Sequence, residues 1–263
     1  MLDLLLFSGV TDPDVKQWVQ AVRSAGGRVS TARAALMEKL VKGLKADGLW
    51  PLLDELWIFA AENGTQARTG VKARVLAAAV NSPPFTTNRG YAGDGLSAYL
   101  DLNINPSTAA GRFTRNDASY GAWIVIQNSV TGARLMGYDG LNGTELRYNA
   151  AANYGMGINS ASYTPTGIAS TSLGLMVATR VGASGAGSQN TYYNGANLVA
   201  DNQASTALPN WNFFALGTSQ FGGIAAPCDA RLGVSFIGGS LTAVQVTSLY
   251  SRLRTHMTAV GVP

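Results

Sequence analysis

One histidine, His256, and one cysteine, Cys228, limit the chemistry open to this chain. A Ser-His-Asp triad would have to use His256, and zinc sites built from Cys and His need more ligands than the sequence holds. A disulfide framework is excluded by the single thiol. Cys228 follows Pro227 with no neighbouring His or Lys to lower its pKa, so burial or simple surface tolerance is expected rather than reactivity. Carboxylates are sparse from residue 81 onward: one glutamate, Glu145, and six aspartates, Asp94, Asp101, Asp117, Asp139, Asp201 and Asp229. Calcium wants about six to eight oxygen ligands. Only Asp139 with Asn142, and Asp94 between Gly93 and Gly95, suggest such a site, and both aspartates precede a glycine in turn-forming dipeptides. No cofactor and no metal are therefore expected. What remains is aromatic chemistry. Tyr138 stands beside Asp139, Tyr192 and Tyr193 precede Asn194, and Trp211 lies between Asn210 and Asn212. A sugar ring stacks its CH face on Tyr or Trp while amides and carboxylates take its hydroxyls. Tyr138, Asp139, Tyr192, Tyr193, Asn194 and Trp211 are thus the glycan-binding candidates. Core and cross-strand packing compete for the same aromatics. Tyr192 and Tyr193 are adjacent, so only one of them faces a core.

The elements that must position these residues divide into two halves. The chain has 263 residues and a net charge of +4; apolar residues make up 46% and charged ones only 13%, about half the usual share of charge. All five lysines lie in the first 80 residues, after which every Lys/Arg position is Arg while Gly, Asn, Ser and Thr rise. The shift coincides with Asn81-Ser82-Pro83-Pro84, whose prolines cannot continue a helix. A helical segment over 1–80 and a β domain over 81–263 are expected. The basic residues are spread among acids without a basic run, so no nucleic-acid partner is expected. No apolar stretch reaches the roughly 20 residues of a membrane span. The short run Leu4-Leu5-Leu6-Phe7 follows Asp3 and lacks a basic leader and a cleavage pattern. It reads as mature structure rather than a signal peptide, in a protein made in a cytoplasm.

In the first half, Asp12 and Pro13 open a helix whose Val15, Trp18, Val19 and Val22 form one stripe. Ser30 or Thr31 opens a second, with Leu36, Leu40 and Leu44 on one side. A third is expected from Pro51, carrying Leu52, Leu53, Leu56, Trp57 and Ala60; residues 65–80 read as a fourth helix or a crossing strap. The second half reads as strands at 120–127, 134–138, 173–180, 212–217 and 230–237. Between them, 191–200 reads as a hairpin around Asn194-Gly195, a type I′ turn expected to be exposed. Thr242-Ala-Val-Gln245 is a capping box opening a last helix with Val246, Leu249, Tyr250, Leu253 and Met257 on one side.

The order of these features resembles a known family. Tyr192-Tyr-Asn-Gly195, then Phe213 to Gly217, then Arg231-Leu-Gly-Val-Ser-Phe-Ile-Gly-Gly-Ser-Leu-Thr242 before a helix with Leu249-Tyr250 is similar to the closing half of concanavalin A-like, LamG-like jelly rolls. Arg89-Gly-Tyr-Ala-Gly-Asp-Gly95 followed by Tyr99-Leu-Asp101 looks like their opening strands. Asp47-Gly-Leu-Trp50, Leu56-Trp57-Ile-Phe-Ala-Ala-Glu-Asn63 and Asn81-Ser-Pro83 resemble a lead segment found before such domains in phage and prophage proteins. The resemblance implies a mainly β, two-sheet antiparallel sandwich with an α-helical N-terminal segment and a closing C-terminal helix. It also implies a non-enzymatic virion protein, on a tail fibre, tail tip or capsid surface. Such a protein would be a homo-oligomer or multicopy on a particle, joined to other virion proteins through its helical segment, and either purely structural or in contact with host-surface glycans, the structural role being favoured. The alternatives are a glycan-degrading enzyme of the same fold or a free lectin. Laminarinase-like members place their carboxylates as Glu-x-Asp-x-x-Glu on one strand, a motif this sequence lacks.

Overall fold

The computed structural model describes residues 9–138, 140, 143–149 and 153–263. Strands and helices are numbered here in chain order. Helix α1 (Pro13–Ser24) is capped by Asp12, whose side chain accepts from the Asp14 amide, and it buries Val15, Trp18, Val19 and Val22. Helix α2 (Thr31–Ala46) is capped by Ser30 and buries Met37, Leu40, Val41 and Leu44. Helix α3 (Gly64–Arg68) is a single short turn. Helix α4 (Ala243–Ala259) starts at the expected capping box, with Thr242 and Gln245 exchanging side-chain to backbone bonds. Among the described residues no helix is long and apolar enough to cross a membrane.

Two sheets carry the rest. One runs in the order β13 (Ala196–Asp201), β12 (Gln189–Tyr193), β11 (Gly174–Val181), β6 (Asp117–Ile126), β17 (Arg231–Gly238), β4 (Gly90–Ala92), β3 (Phe85–Thr86), with β1 (Leu53–Trp57) also paired to β17. The other runs β10 (Thr164–Ala169), β9 (Asn153–Gly157), β8 (Thr144–Asn149), β7 (Arg134–Tyr138), β14 (Phe214–Ala215), β5 (Tyr99–Asp101), β2 (Ala78–Val80). The hairpin of β15 (Thr218–Gln220) and β16 (Gly223–Ala225) joins β7. The protein is mainly β: two antiparallel sheets form a sandwich, with helices at the N-terminus and a helix at the C-terminus.

Packing gives three layers and two cores. Between the sheets lie Tyr120, Ala122 and Ile124 from β6 against Leu135, Met136, Leu146, Tyr154 and Met156. On the other face of the first sheet, Trp123, Val125, Val234 and Phe236 meet Trp18, Leu40, Leu44, Leu249 and Leu253 from the helices. Strand β6 is therefore buried on both faces, which is why it reads as a nearly continuous apolar run rather than an alternating one. The N-terminal helices are docked on the sandwich through their apolar stripes.

The third helix expected from Pro51 does not form. Trp50–Leu52 make one tight turn, and Leu53–Trp57 are a strand paired antiparallel with β17. Leu53, Leu56 and Trp57 sit at helical spacing, but the segment is covered on both sides. Leu56 and Ile58 enter the helix-side core, while Trp57 and Phe59 enter the core between the sheets. A strand buried on both faces leaves no period to separate it from a helix. Residues 69–80 form the strap rather than a fourth helix, closed by a bridge between Thr69 and Leu76. Buried Glu55 organises that strap. Its carboxylate accepts from the amides of Leu56, Lys72, Ala73 and Val75, at 2.7–3.1 Å. Burial pushes its pKa up against those four bonds.

Candidate functional site

The outer face of the second sheet carries a cavity of about 440 Å³, lined by Arg134, Glu145, Arg147, Gly157, Ser162 and Tyr163 among others. Strand alternation places its charged wall. On β8, Leu146 points into the core between the sheets, so Glu145 and Arg147 point outward. Glu145 pairs with Arg134 of the neighbouring strand and with Arg147, whose Nη1 lies 3.2 Å from Oε1. The Arg147 guanidinium lies over the Tyr163 ring, 4.0 Å from its centroid. Glycines make room for this arrangement. A Cβ on Gly155 would stand 2.6 Å from the Tyr163 ring, and one on Gly157 would stand 3.0 Å from the Ser162 carbonyl. Only a strand without side chains at these two outward positions lets the segment after β9 fold back over it.

A buried polar network fixes that segment from beneath. Arg180 donates from Nε to the Ile158 carbonyl at 2.7 Å, and Gln189 Oε1 accepts from the Ile158 amide at 2.9 Å. Asn159, in a left-handed conformation and fully buried, donates to the Thr114 and Arg115 carbonyls, both at 3.0 Å, and accepts from Thr144 Oγ1, also at 3.0 Å. Tyr120 donates to the Gly157 carbonyl. The cavity wall thus rests on groups whose polar atoms are paired, which holds its shape before any ligand arrives.

The structure scatters the residues predicted from sequence. Tyr138 is 5% exposed, and its hydroxyl meets Asn210 Oδ1 at 3.3 Å. Tyr192 is 3% exposed and belongs to the helix-side core. Tyr193 is half-buried and packs against the core between the sheets, so the expectation that only one of the pair faces a core fails: the sheet is covered on both sides and each tyrosine meets a different core. Its hydroxyl donates to the Leu173 carbonyl at 2.8 Å. Asn194 accepts from the Leu175 amide at 2.9 Å. The Asn194-Gly195 turn has the expected left-handed pair, at φ 49° and 83°. The expectation that it stands exposed fails, because α4 covers it. Thr247 Oγ1 donates to the Gly195 carbonyl at 2.8 Å, and a Cβ on Gly195 would stand 3.2 Å from the Tyr250 side chain. Trp211, on the way into β14, is 41% exposed. Its ring lies across the β15–β16 turn, where a Cβ on Gly222 would meet it at 2.8 Å. Tyr138 and Asn210 are therefore brought together, while Tyr192, Tyr193 and Asn194 lie in the other sheet. Asp139 and Asn142 lie outside the described residues.

Two further expectations concern turns and thiols. Asp94 Oδ1 accepts from the amides of Leu96, Ser97 and Ala98, and these bonds pull its pKa down to about 2. That carboxylate does the work of a turn. Cys228 is buried, and burial pushes its thiol up to about 12. The cavity leaves no motif in the sequence, because its arginines sit thirteen residues apart and its glutamate stands alone. A signal was present nonetheless: Glu145 and Arg147 are two apart, as are Gly155 and Gly157, the spacing that lines one face of a strand.

No protein-family model matches the chain, and no curated protein does. Solved structures are similar in fold. Trypanosoma rangeli sialidase in complex with 2,3-difluorosialic acid superposes with a TM-score of 0.56 at 15% identity, over 86% of this chain and 40% of that one. The botulinum neurotoxin serotype D binding domain superposes with a TM-score of 0.53 at 11% identity, over 77% of this chain and 52% of that one. The chain thus spans two fifths of the sialidase and about half of the toxin domain. At such identities the likeness is one of fold. It defines a class, the two-sheet β-sandwich consistent with the concanavalin A-like jelly roll that the sequence resembles.

Proposed function

We propose that this chain is a non-catalytic glycan-binding β-sandwich, carried as a structural or accessory protein of a phage particle. The observation that carries the glycan reading is the preformed cavity on the outer face of the second sheet. Its volume suits a small-molecule site, and it combines an aromatic ring, hydroxyls and charged donors. Among its described lining residues Glu145 is the one carboxylate. Glycoside hydrolysis through an acid and a base requires two, which favours binding over cleavage. The solved structures of similar fold include a sialidase bound to a sialic acid derivative, which supports the glycan part of this reading.

The virion assignment rests on the resemblance of the lead segment to phage proteins. Partner proteins would meet the polar outer faces of α1 and α2, because the apolar stripes of both helices are buried in this chain's own core. Multiple copies on a particle would turn weak single-site contacts into firm attachment. The test of the glycan reading is a glycan array probed with a multivalent form of the chain. Retention of a defined glycan set, weakened by Tyr163→Ala, is expected. Trp211→Ala is the second variant, since Trp211 is 41% exposed. Absence of retention of every glycan would remove the reading. Mass spectrometry of purified particles decides the virion assignment independently.

A further inference from the structure

We infer that the outer-sheet cavity selects anionic saccharides, holding the carboxylate or sulfate group of a sugar against Arg147. The inference rests on the glycan reading above and gives it a substrate class. Its first ground is charge. Arg147 meets Glu145 through Nη1, and that carboxylate is engaged by Arg134 as well, so it offsets the Arg147 charge only in part. Its second ground is the state of Arg147. Only Nη1 of this side chain bonds Glu145, and among the described residues the buried Nε has no hydrogen-bond partner. A buried donor left unpaired is costly, and it marks a guanidinium whose hydrogen bonds the protein leaves incomplete. The fork of a guanidinium also fits a carboxylate or sulfate side-on.

The third ground is geometry. Tyr163 occupies one face of the Arg147 guanidinium, which directs new partners to its edge. Glu145, itself paired with Arg134 of β7, holds the guanidinium in place through Nη1. A sugar hydroxyl offers a neutral acceptor to these donors, whereas a carboxylate or sulfate makes charge-assisted bonds of about twice the strength. The cavity volume of about 440 Å³ is enough for one charged ring and part of its neighbour. The partly exposed arginines, 17% and 20%, remain within reach of salt screening.

The experiment uses the full chain and an array of glycan pairs that differ only in a carboxylate or a sulfate. Retained glycans are then measured by calorimetry at about 50 and about 500 mM NaCl. The expected result is retention of acidic members and not of their neutral partners, with affinity falling at least about tenfold across that salt range. Arg147→Gln is expected to weaken acidic binding by at least about tenfold while the unfolding midpoint stays in place. Glu145→Gln, which keeps the shape and removes the competing charge, is expected to strengthen it. Carboxylated and sulfated pairs read separately show which anion the site takes. Retention of neutral glycans with no dependence on salt, or acidic binding that survives Arg147→Gln, overturns the inference and leaves the glycan reading standing. No retention of any glycan removes both.

Discussion

His256 sits buried in the cleft between α2 and α4, beside Leu36, Leu40 and Ala259. Burial, with the charge of nearby Arg33 adding to it, lowers its pKa from 6.5 to about 4. The folded protein therefore binds fewer protons than the unfolded chain between those values. The histidine's contribution is complete above about 6.5 and is lost as pH falls through that window to about 4, amounting to about 3 kcal/mol. Urea midpoints measured across this window should fall with pH in the parent. They should fall much less in His256→Leu, which removes the ionisable group; parallel curves would refute the assignment. Asp94 titrates lower, since three backbone amides hold its pKa near 2, so its loss is separable from that of His256. Tyr192 makes a second test at this scale. It is a core residue of the helix-side cluster, so Tyr192→Ala should cost about 3–5 kcal/mol by chemical denaturation. Any loss of glycan binding in that variant should track unfolding alone.

Helix α4 shows how a local signal and a tertiary contact carry different weights. Its capping box is complete: Thr242 N donates to Gln245 Oε1 at 2.8 Å, and Gln245 N donates to Thr242 Oγ1 at 3.3 Å. Thr242→Ala should therefore cost about 1 kcal/mol, the ordinary value of a helix cap. Leu249 lies wholly inside the helix-side core, and Leu249→Ala should cost more, about 2–5 kcal/mol. Denaturant titration of the two variants checks the ranking; equal and negligible effects would mean that α4 does not hold the sheet. The same helix closes the β12–β13 turn through Thr247 and Tyr250, and it ties α2 through the Arg252–Asp47 pair at 2.7 Å.

Across the whole molecule, the chain is interleaved rather than divided. Strand β1 pairs with β17, the strand that leads into α4. The strap at 69–80 is pinned by Glu55, by Trp18 Nε1 on the Thr69 carbonyl and by Trp57 Nε1 on the Val75 carbonyl, both at 3.1 Å. Limited proteolysis should spare this strap. It should cut instead within residues 81–88, where Asn81, Ser82 and Asn88 adopt left-handed conformations and most side chains are exposed. The nicked halves should stay together in gel filtration and part only in denaturant, because β1 and both long N-terminal helices are packed on the second half. Separation under native conditions would contradict this packing. Residues 1–80 expressed alone should not give a cooperative monomer, since Trp18, Leu40 and Leu44 would lose the sheet they cover.

The sequence by itself determined what short-range chemistry writes. Asp12 with Pro13, Ser30, and Thr242 with Gln245 mark three helix starts because a cap needs only residues within one turn of each other. Strand β7 and the Asn194-Gly195 turn were legible for the same reason, in apolar patterning and in a residue pair suited to positive φ. The fold class followed from the order of such signals. Tertiary structure alone decided the fate of Leu53–Trp57, because burial on both faces erases the period that would mark a strand. It alone decided which aromatics remain open. Tyr138, Tyr192 and Trp211 are chemically alike in the sequence, and only their packing hides the first two. It alone assembled Arg134, Glu145, Arg147 and Tyr163, which meet because β7, β8 and β9 lie side by side and Gly155 and Gly157 leave their outer face open. A site built from neighbouring strands has no spacing along the chain, since the register between strands sets its distances.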